Sequence, residues 1–403
     1  MKGLDVLKRF LIACSLLGGT LYADALENLL SERKNQAFSY DFERNEAQSD
    51  VVSKSWINPV MLQYTKSYSN QFGSDTTTSS SFSVGVDQPI FRSGGIYFAI
   101  KYAQAQRGAN RTQIAMAKRE TIAQAINLLF QMKKLKLEQK KYRFLIANDA
   151  LDVKQKRDSY RAGILQSSFV DQAMLQANQD EIQKLSLEVS YMELKEQFSL
   201  LSDKNPEHLK LPHFTLLTLK KFKQHSLKLR YNKLRAKEKA YNAKMTWAKY
   251  LPTISIQGRY TDATPDPLFS TPDVKDAYSS YGFSISMPLN VNMLSDIEAA
   301  KVEKLKAQLD VVDERENIEA FYALVRRKLA WVDKKIALSK KDEKLYANMY
   351  RLTKDLQKAG EKTKSDVSML YNGLQIRKLN QKIYKLEREM ILLELYTKVS
   401  NEV

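Results

Sequence analysis

Two long stretches without proline constrain this chain more than any other feature. From Ile96 to about Tyr160 no proline occurs, and the only interior glycine is Gly108. A second such stretch runs from about Leu294 to Lys358. In the first, apolar residues recur at helical spacing: Ile122, Ile126, Leu129 and Phe130, then Leu135, Leu137, Tyr142, Leu145 and Ile146. At 1.5 Å per residue, a helix of sixty-odd residues is about 100 Å long. No single globular core needs that length, so the pattern predicts helices packed side by side as coiled coils. Only 9 prolines and 13 glycines in 403 residues, with abundant Lys, Glu, Gln, Leu and Ala, agree with it. The apolar fraction of 43% argues against general disorder.

Each long stretch stops at a glycine. "RAGILQSS" breaks the first at Gly163 and "KAGEKTKSD" breaks the second at Gly360. Arg161–Gly163 matches Lys358–Gly360, Ser168 matches Ser365, and Val170 matches Val367. Helical pattern resumes after each break, over about 166–202 and 364–399. Between the halves a linker is expected over 203–215, in and just after "SDKNPEHLKLPHF" with its Pro206 and Pro212, followed by a helix over about 216–250. The expected class is mixed α and β, mainly α. Residues 24–202 and 216–403 are expected to be two structural repeats.

Two short alternating segments precede each long helix, expected as strands over about 55–69 and 80–90, then 252–261 and 278–289. In the first, Trp56, Val60, Leu62, Tyr64 and Tyr68 share a side, with Gln63, Thr65 and Ser67 opposite. Phe82, Val84 and Val86 alternate with Ser81, Ser83, Gly85 and Asp87. Ile254, Ile256 and Tyr260 alternate with Thr253, Ser255, Gln257 and Arg259. Tyr281, Phe283, Ile285 and Met287 alternate with Ser280, Gly282, Ser284 and Ser286. Period-two alternation marks strands with unlike faces. An apolar outside and a small polar inside is the pattern of a membrane barrel. Trp56, Tyr64, Tyr68, Tyr260 and Tyr281 then suit an interfacial aromatic belt. An exported β-sandwich with one wet face is the plainer alternative. Four strands cannot close a barrel, for which about eight is the small end. The remaining strands must come from other copies, and three copies supply twelve.

The N-terminus has Lys2, Lys8 and Arg9, an apolar run from Phe10 to Leu21, and Ala23 at a plausible cleavage point. Residues 1–23 read as a secretory signal peptide. "LIAC" also fits a lipidation motif at Cys14, although the apolar run before it is short and continues past it. Cys14 is the single cysteine, so no internal disulfide framework exists. No later segment reaches the roughly 18 apolar residues of a membrane helix. The net charge of +18 is spread along the helical stretches and reads as solvated helix faces. No zinc-finger spacing, RNA-binding aromatic signature or basic arm marks a nucleic-acid partner.

Catalytic and cofactor motifs are missing: no phosphate-cradling loop, no Gly-x-Ser-x-Gly elbow and no His-Glu-x-x-His helix. His208, His213 and His225 cluster around the linker without a cysteine or carboxylate set, a weak basis for a metal site. The reading is a non-enzyme with no cofactor and no metal.

The order and spacing of "QPIFRSGGIYFAIKYAQAQ", "WAKYLPTISIQGRY", "SMPL", "YRAGILQSSFVDQA" and "LQKAGEKTKSDVSML" resemble the TolC-like outer-membrane efflux duct family over nearly the whole mature chain. The resemblance implies a homotrimer with a twelve-stranded barrel in outer-membrane lipid and a helical tunnel in the periplasm of a Gram-negative cell. It implies partners: a periplasmic membrane-fusion adaptor, and an inner-membrane pump of resistance-nodulation-division or ATP-binding cassette type. The duct then serves tripartite efflux or type I secretion. Gly163 and Gly360, with Ser168 and Ser365, would lie at the closable tip where the adaptor docks. Lys362 takes the family's basic position and Asp366 its acidic one, where three Asp366 carboxylates would ring the axis. The sequence departs at Met369, Phe169 and Gln357, where the family carries a second acid, an aspartate and an aromatic. Two plainer readings stand beside these: Asp366 as a helix-start carboxylate, and the glycines as turn residues. At the level of function the alternatives are a non-pore exported coiled-coil scaffold or adhesin, and a basic coiled-coil nucleic-acid binder.

Overall fold

The computed structural model describes residues 29–70, 76–264 and 275–400. The expected signal peptide, with Cys14 and Ala23, lies outside the described residues, as do parts of both strand-connecting loops. The elements run α1 (Glu32–Lys54), β1 (Met61–Ser69), β2 (Thr77–Phe91), α2 (Gly95–Arg161), α3 (Ser167–Ser199), α4 (Leu219–His225), α5 (Leu227–Lys249), β3 (Thr253–Thr264), β4 (Ala277–Ser286), α6 (Met293–Lys358) and α7 (Lys364–Tyr396). The long helices α2 and α6 have 67 and 66 residues, and α3 and α7 have 33 each. The described residues form two compact units: a sheet unit drawn from 40–114 and 228–314, and a helical unit of 29–39, 115–227 and 315–400.

In the sheet unit the strands form one antiparallel sheet in the order β1-β2-β3-β4. Leu62 stands opposite Val84, Tyr64 opposite Phe82, and Val84 opposite Tyr260. Ile256 stands opposite Phe283, and Ile254 opposite Ile285. Directly opposed residues share a face, so the apolar faces of all four strands fall on one side of the sheet. The other side carries Gln63 against Ser83, Gly85 against Arg259, and Ser255 against Ser284. From Ile254 to Tyr260 the apolar band is about 20 Å tall at roughly 3.4 Å per residue. Farther along the same face, Lys66, Ser80, Asp262 and Thr264 make it polar. Tyr281 is 92% exposed and Phe283 76%. Strands β1 and β4 are open edges. Pro89 lies past the point where β1 stops pairing with β2, so its missing N–H interrupts no β1 bond, and a bulge follows it at Phe91.

Strand β1 starts later than the alternation suggests. Helix α1 continues to Lys54, and a turn follows in which Ile57 N–H donates to the Lys54 carbonyl at 2.9 Å. Pro59 restricts Asn58 to extended backbone. Gln88 fixes that segment: Asn58 N–H donates to its Oε1 at 3.0 Å, and its Nε2 donates to the Trp56 carbonyl at 3.2 Å. Trp56 therefore sits in a turn, off the strand face.

In the helical unit, Ile122, Ile126, Leu129 and Phe130 of α2 are buried, with Phe214, Val325, Val332, Leu392 and Leu395. The Phe214 ring lies between those of Phe130 (centroids 6.4 Å apart) and Tyr396 (4.9 Å), tilted to both. The helix expected over about 216–250 is split at Ser226. There the chain is extended and bridges Val399, with Leu227 N–H donating to the Lys398 carbonyl at 3.0 Å.

Two apolar stripes of this unit are exposed. On α6, Leu324, Trp331, Leu338, Leu345 and Leu352 recur every seventh residue; on α3, Ile182, Leu185, Val189 and Met192 recur at alternating spacings of three and four. These are the seams of coiled-coil helices. Each such side chain is about half to two-thirds exposed and would gain on the order of 1 kcal/mol or more from being covered.

Candidate functional site

Residues singled out in the sequence gather at two places, the ends of the long helices and one face of the sheet. At the helix ends the two glycines build the same turn. Gly163 (φ +73°) donates to the Tyr160 carbonyl at 2.9 Å, and Ile164 N–H reaches back to Ser159 at 2.9 Å. Gly360 (φ +83°) donates to Gln357 at 3.1 Å, and Glu361 N–H reaches Leu356 at 2.9 Å. This is the paired closing pattern of a helix that ends on a left-handed residue. A Cβ at either glycine would meet nothing within 4 Å. Glycine is thus required here by backbone conformation and not by crowding. Ser168 and Ser365 fall in the first turns of α3 and α7.

The helices that follow are capped differently. Helix α7 opens with a capping box. Asp366 N–H donates to Thr363 Oγ1 at 3.1 Å, while Asp366 Oδ2 accepts from Thr363 N–H at 2.9 Å and from its hydroxyl at 2.9 Å. The Thr363 backbone donor, then its hydroxyl, hold the Asp366 carboxyl below the usual carboxylate range; Gln155 of α2 and the Lys362 charge add to this. Helix α3 has Gln166 at the equivalent place, with no side-chain cap. The residues where the sequence departs from the resemblance are also placed. Phe169 is 45% exposed, and the Gln357 carbonyl accepts from Gly360. The Met369 carbonyl accepts from Asn148 Nδ2 at 3.4 Å.

Three features here were not anticipated from sequence. Asn372 Nδ2 of α7 donates to Asn148 Oδ1 of α2 at 2.8 Å. Asp149 and Asp180 form a carboxyl pair across α2 and α3. Burial, then the Asp180 and Asp152 charges, push Asp149 up to about 6, and its Oδ2 is buried without a hydrogen-bond partner. Gly373 of α7 lies so close to Tyr346 of α6 that a Cβ would stand 2.6 Å from the ring. None of the three is visible locally, because each joins two different helices; the Thr-x-x-Asp capping signature of α7, by contrast, can be read from adjacent residues.

On the sheet, Tyr64, Tyr68, Tyr260 and Tyr281 share the apolar face by register, and Trp56 does not. The three histidines have ordinary surroundings: His213 meets Glu389 at 2.6 Å, the His225 carbonyl accepts from Ser400 N–H, and His208 N–H donates to Asn205. Among the described residues no helix is long and apolar enough to cross a membrane, and no group of three potential metal ligands occurs.

No protein-family model and no curated protein matches the chain by sequence. Solved structures do match its fold. The outer-membrane protein VceC of Vibrio cholerae superposes with a TM-score of 0.73 at 15% identity, over 94% of this chain and 97% of that one. The CmeC outer-membrane channel of Campylobacter jejuni gives 0.72 at 11% identity, over 94% and 87%. The MtrE outer-membrane channel of Neisseria gonorrhoeae gives 0.66 at 13% identity, over 93% and 87%. The fold is that of the TolC-like outer-membrane channels.

Proposed function

We propose that this chain, which has the fold of outer-membrane channels, is the passive exit duct of a tripartite efflux or type I secretion system. The observation that carries this is the sheet. Four strands set most of their large apolar side chains on one exposed face, Met61 and Tyr278 being the exceptions, with mainly polar or small residues on the other, and leave both edges open. A backbone edge in lipid must be paired, which only closure achieves. Three copies joined β4 to β1 make a twelve-stranded barrel, lipid outside and water inside. The exposed seams on α3 and α6 support the same assembly, since each finds its partner on another copy.

The helix pairs of 67 and 33, then 66 and 33, residues support a duplicated unit, so three chains act as six hairpins. In this reading the helical unit lies in the periplasm. The turns at Gly163 and Gly360, with Ser168 and Ser365, meet a membrane-fusion adaptor. An inner-membrane pump provides the energy, because this chain carries no motif coupled to ATP or protons. Asp366, held ionised by its cap and flanked by Lys362, is the residue for a threefold carboxylate constriction that attracts cations.

Outer-membrane isolation followed by planar-bilayer recording tests the proposal. A trimer in the outer membrane with water-filled conductance is expected. Recovery as a soluble periplasmic protein would favour the scaffold reading and sink the duct.

A further inference from the structure

Between α2 and α7 of the helical unit lies a cleft of about 700 Å³, lined by Lys140, Arg143, Lys378, Lys382 and Lys385. That volume is within the usual range of small-molecule sites. Lys378, Lys382 and Lys385 follow one face of α7, and Lys140 and Arg143 one face of α2, so the cations line a strip about 10 Å long. Like charges at these spacings repel. The nearby carboxylates are already engaged: Glu138 and Glu387 with Lys134, Glu387 also with Lys335, and Glu343 with Gln381. None of the five makes an ion pair among the described residues.

The same two helices are joined on either side of the cleft. Asn372 donates to Asn148 at 2.8 Å at one end, and Lys134 meets Glu387 at 3.2 Å at the other. Outside the cleft the helix faces are complementary, and inside it five cations stand over an apolar floor of Phe144, Ala147 and Leu379, against one lining carboxylate, Glu343 of α6, which accepts from the Gln381 amide. The amides of Asn372, Gln375 and Gln381 complete the wall. Clustered cations beside an apolar surface, at charge spacings of several ångströms, suit one chemical class.

We propose that this cleft binds small organic anions, holding an aromatic or aliphatic body on Phe144 and Leu379 and two or more sulfonate, carboxylate or phosphate groups among the five cations. The site is independent of the duct reading, because it is built within one chain and its occupancy is measured without transport.

Naphthalene trisulfonate serves as the probe, titrated calorimetrically into the intact protein in non-ionic detergent. The substitutions Arg143→Gln, Lys378→Gln and Lys382→Gln together are expected to weaken saturable binding by about tenfold or more. Lys204→Gln, Lys220→Gln and Lys221→Gln remove equal charge from an exposed region and should leave it within about twofold. A second measurement needs no variant: in the wild-type protein the probe should protect Lys378, Lys382 and Lys385 from acetylation, but not Lys204 or Lys220. Equal weakening in both variants means general charge attraction and overturns the proposal. Absence of saturable binding, or protection spread evenly over the lysines, overturns it as well.

Discussion

Thr363 and Asp366 hold each other across the first turn of α7, each backbone N–H donating to the other's side chain at 2.9 and 3.1 Å. This settles the local role of Asp366 and leaves its charge available for a second one. The two are separable. Thr363→Ala keeps the carboxylate and loses the cap, at a cost of about 1 kcal/mol; faster amide exchange over the start of α7 should report it. Asp366→Asn removes the charge. If three Asp366 carboxylates ring a constriction, Asp366→Asn weakens block by multivalent cations in bilayer recordings while Thr363→Ala does not. Unchanged block in Asp366→Asn removes that residue from the constriction. Because its folded-state pKa is depressed, the cap's stabilisation is present above the ordinary carboxylate range and fades as pH falls below it.

Asp149 should behave in the opposite sense. Its carboxyl titrates near 6 in the folded chain and near 3.8 when free. The unfolded chain therefore releases its proton first, and the α2–α3 pairing loses stability as pH rises from about 4 to 6, with the full penalty present above. Asp180, whose carboxylate also accepts from Gln176, and Asp152, paired with Lys156, are the groups that face it. Asp149→Asn should slow amide exchange in this helix pair at neutral pH and flatten its dependence across that window. An unchanged pH profile would contradict the assignment.

Gly373→Ala tests the close approach of α6 and α7. In an open helix this change gains about 1 kcal/mol. Here the new methyl strikes the Tyr346 ring, whose hydroxyl accepts a hydrogen bond from Arg377 at 3.2 Å. Overpacking of this kind costs about 1–3 kcal/mol, so thermal melts should show net destabilisation. Tyr346→Leu in the same chain should recover part of it; an increase in stability from Gly373→Ala alone would mean the helices part more easily than their packing indicates.

The two faces of β4 give adjacent positions opposite fates. Phe283→Arg places a charge in the apolar band, at a cost of about 2–4 kcal/mol near the middle of a bilayer. It should lower the yield of trimer in the outer-membrane fraction. Ser284→Arg, one residue on and facing the other way, should insert normally and change conductance instead. Equal loss from both would argue against a lipid-facing side.

At the turns, Gly360→Val should impair export more than insertion, since a Cβ there meets backbone strain of about 1–2 kcal/mol and no neighbouring atom. Loss of assembly without a selective export defect would count against a tip role.

How much of this was legible depends on the range over which each feature is determined. The long helices were readable because they need only uninterrupted residues of one kind between Gly95 and Arg161, and again from Met293 to Lys358. The alternating faces of Phe82–Val86 and Tyr281–Ile285 were readable for a similar reason. Trp56 misled because its alternation continues across Pro59, where a distant side chain, Gln88, fixes a turn. The break at Ser226 depends on Val399, at the far end of the chain. The Asp149–Asp180 pair and the basic cleft were invisible because each joins helices whose mutual register no local pattern records.

The leucine and tryptophan stripe on α6 has a geometric consequence. A straight α-helix drifts by about 20° per seven residues against a strict seven-residue repeat. Between Leu324 and Leu352 that amounts to about 80°, enough to carry the last side chain off the line of the first. The five residues can meet one neighbour together only if the helix is slightly underwound and leans leftward around it. Contact and handedness are then the same variable: straightening α6 peels the seam from one end to the other, without any side chain having to be pulled out against its packing.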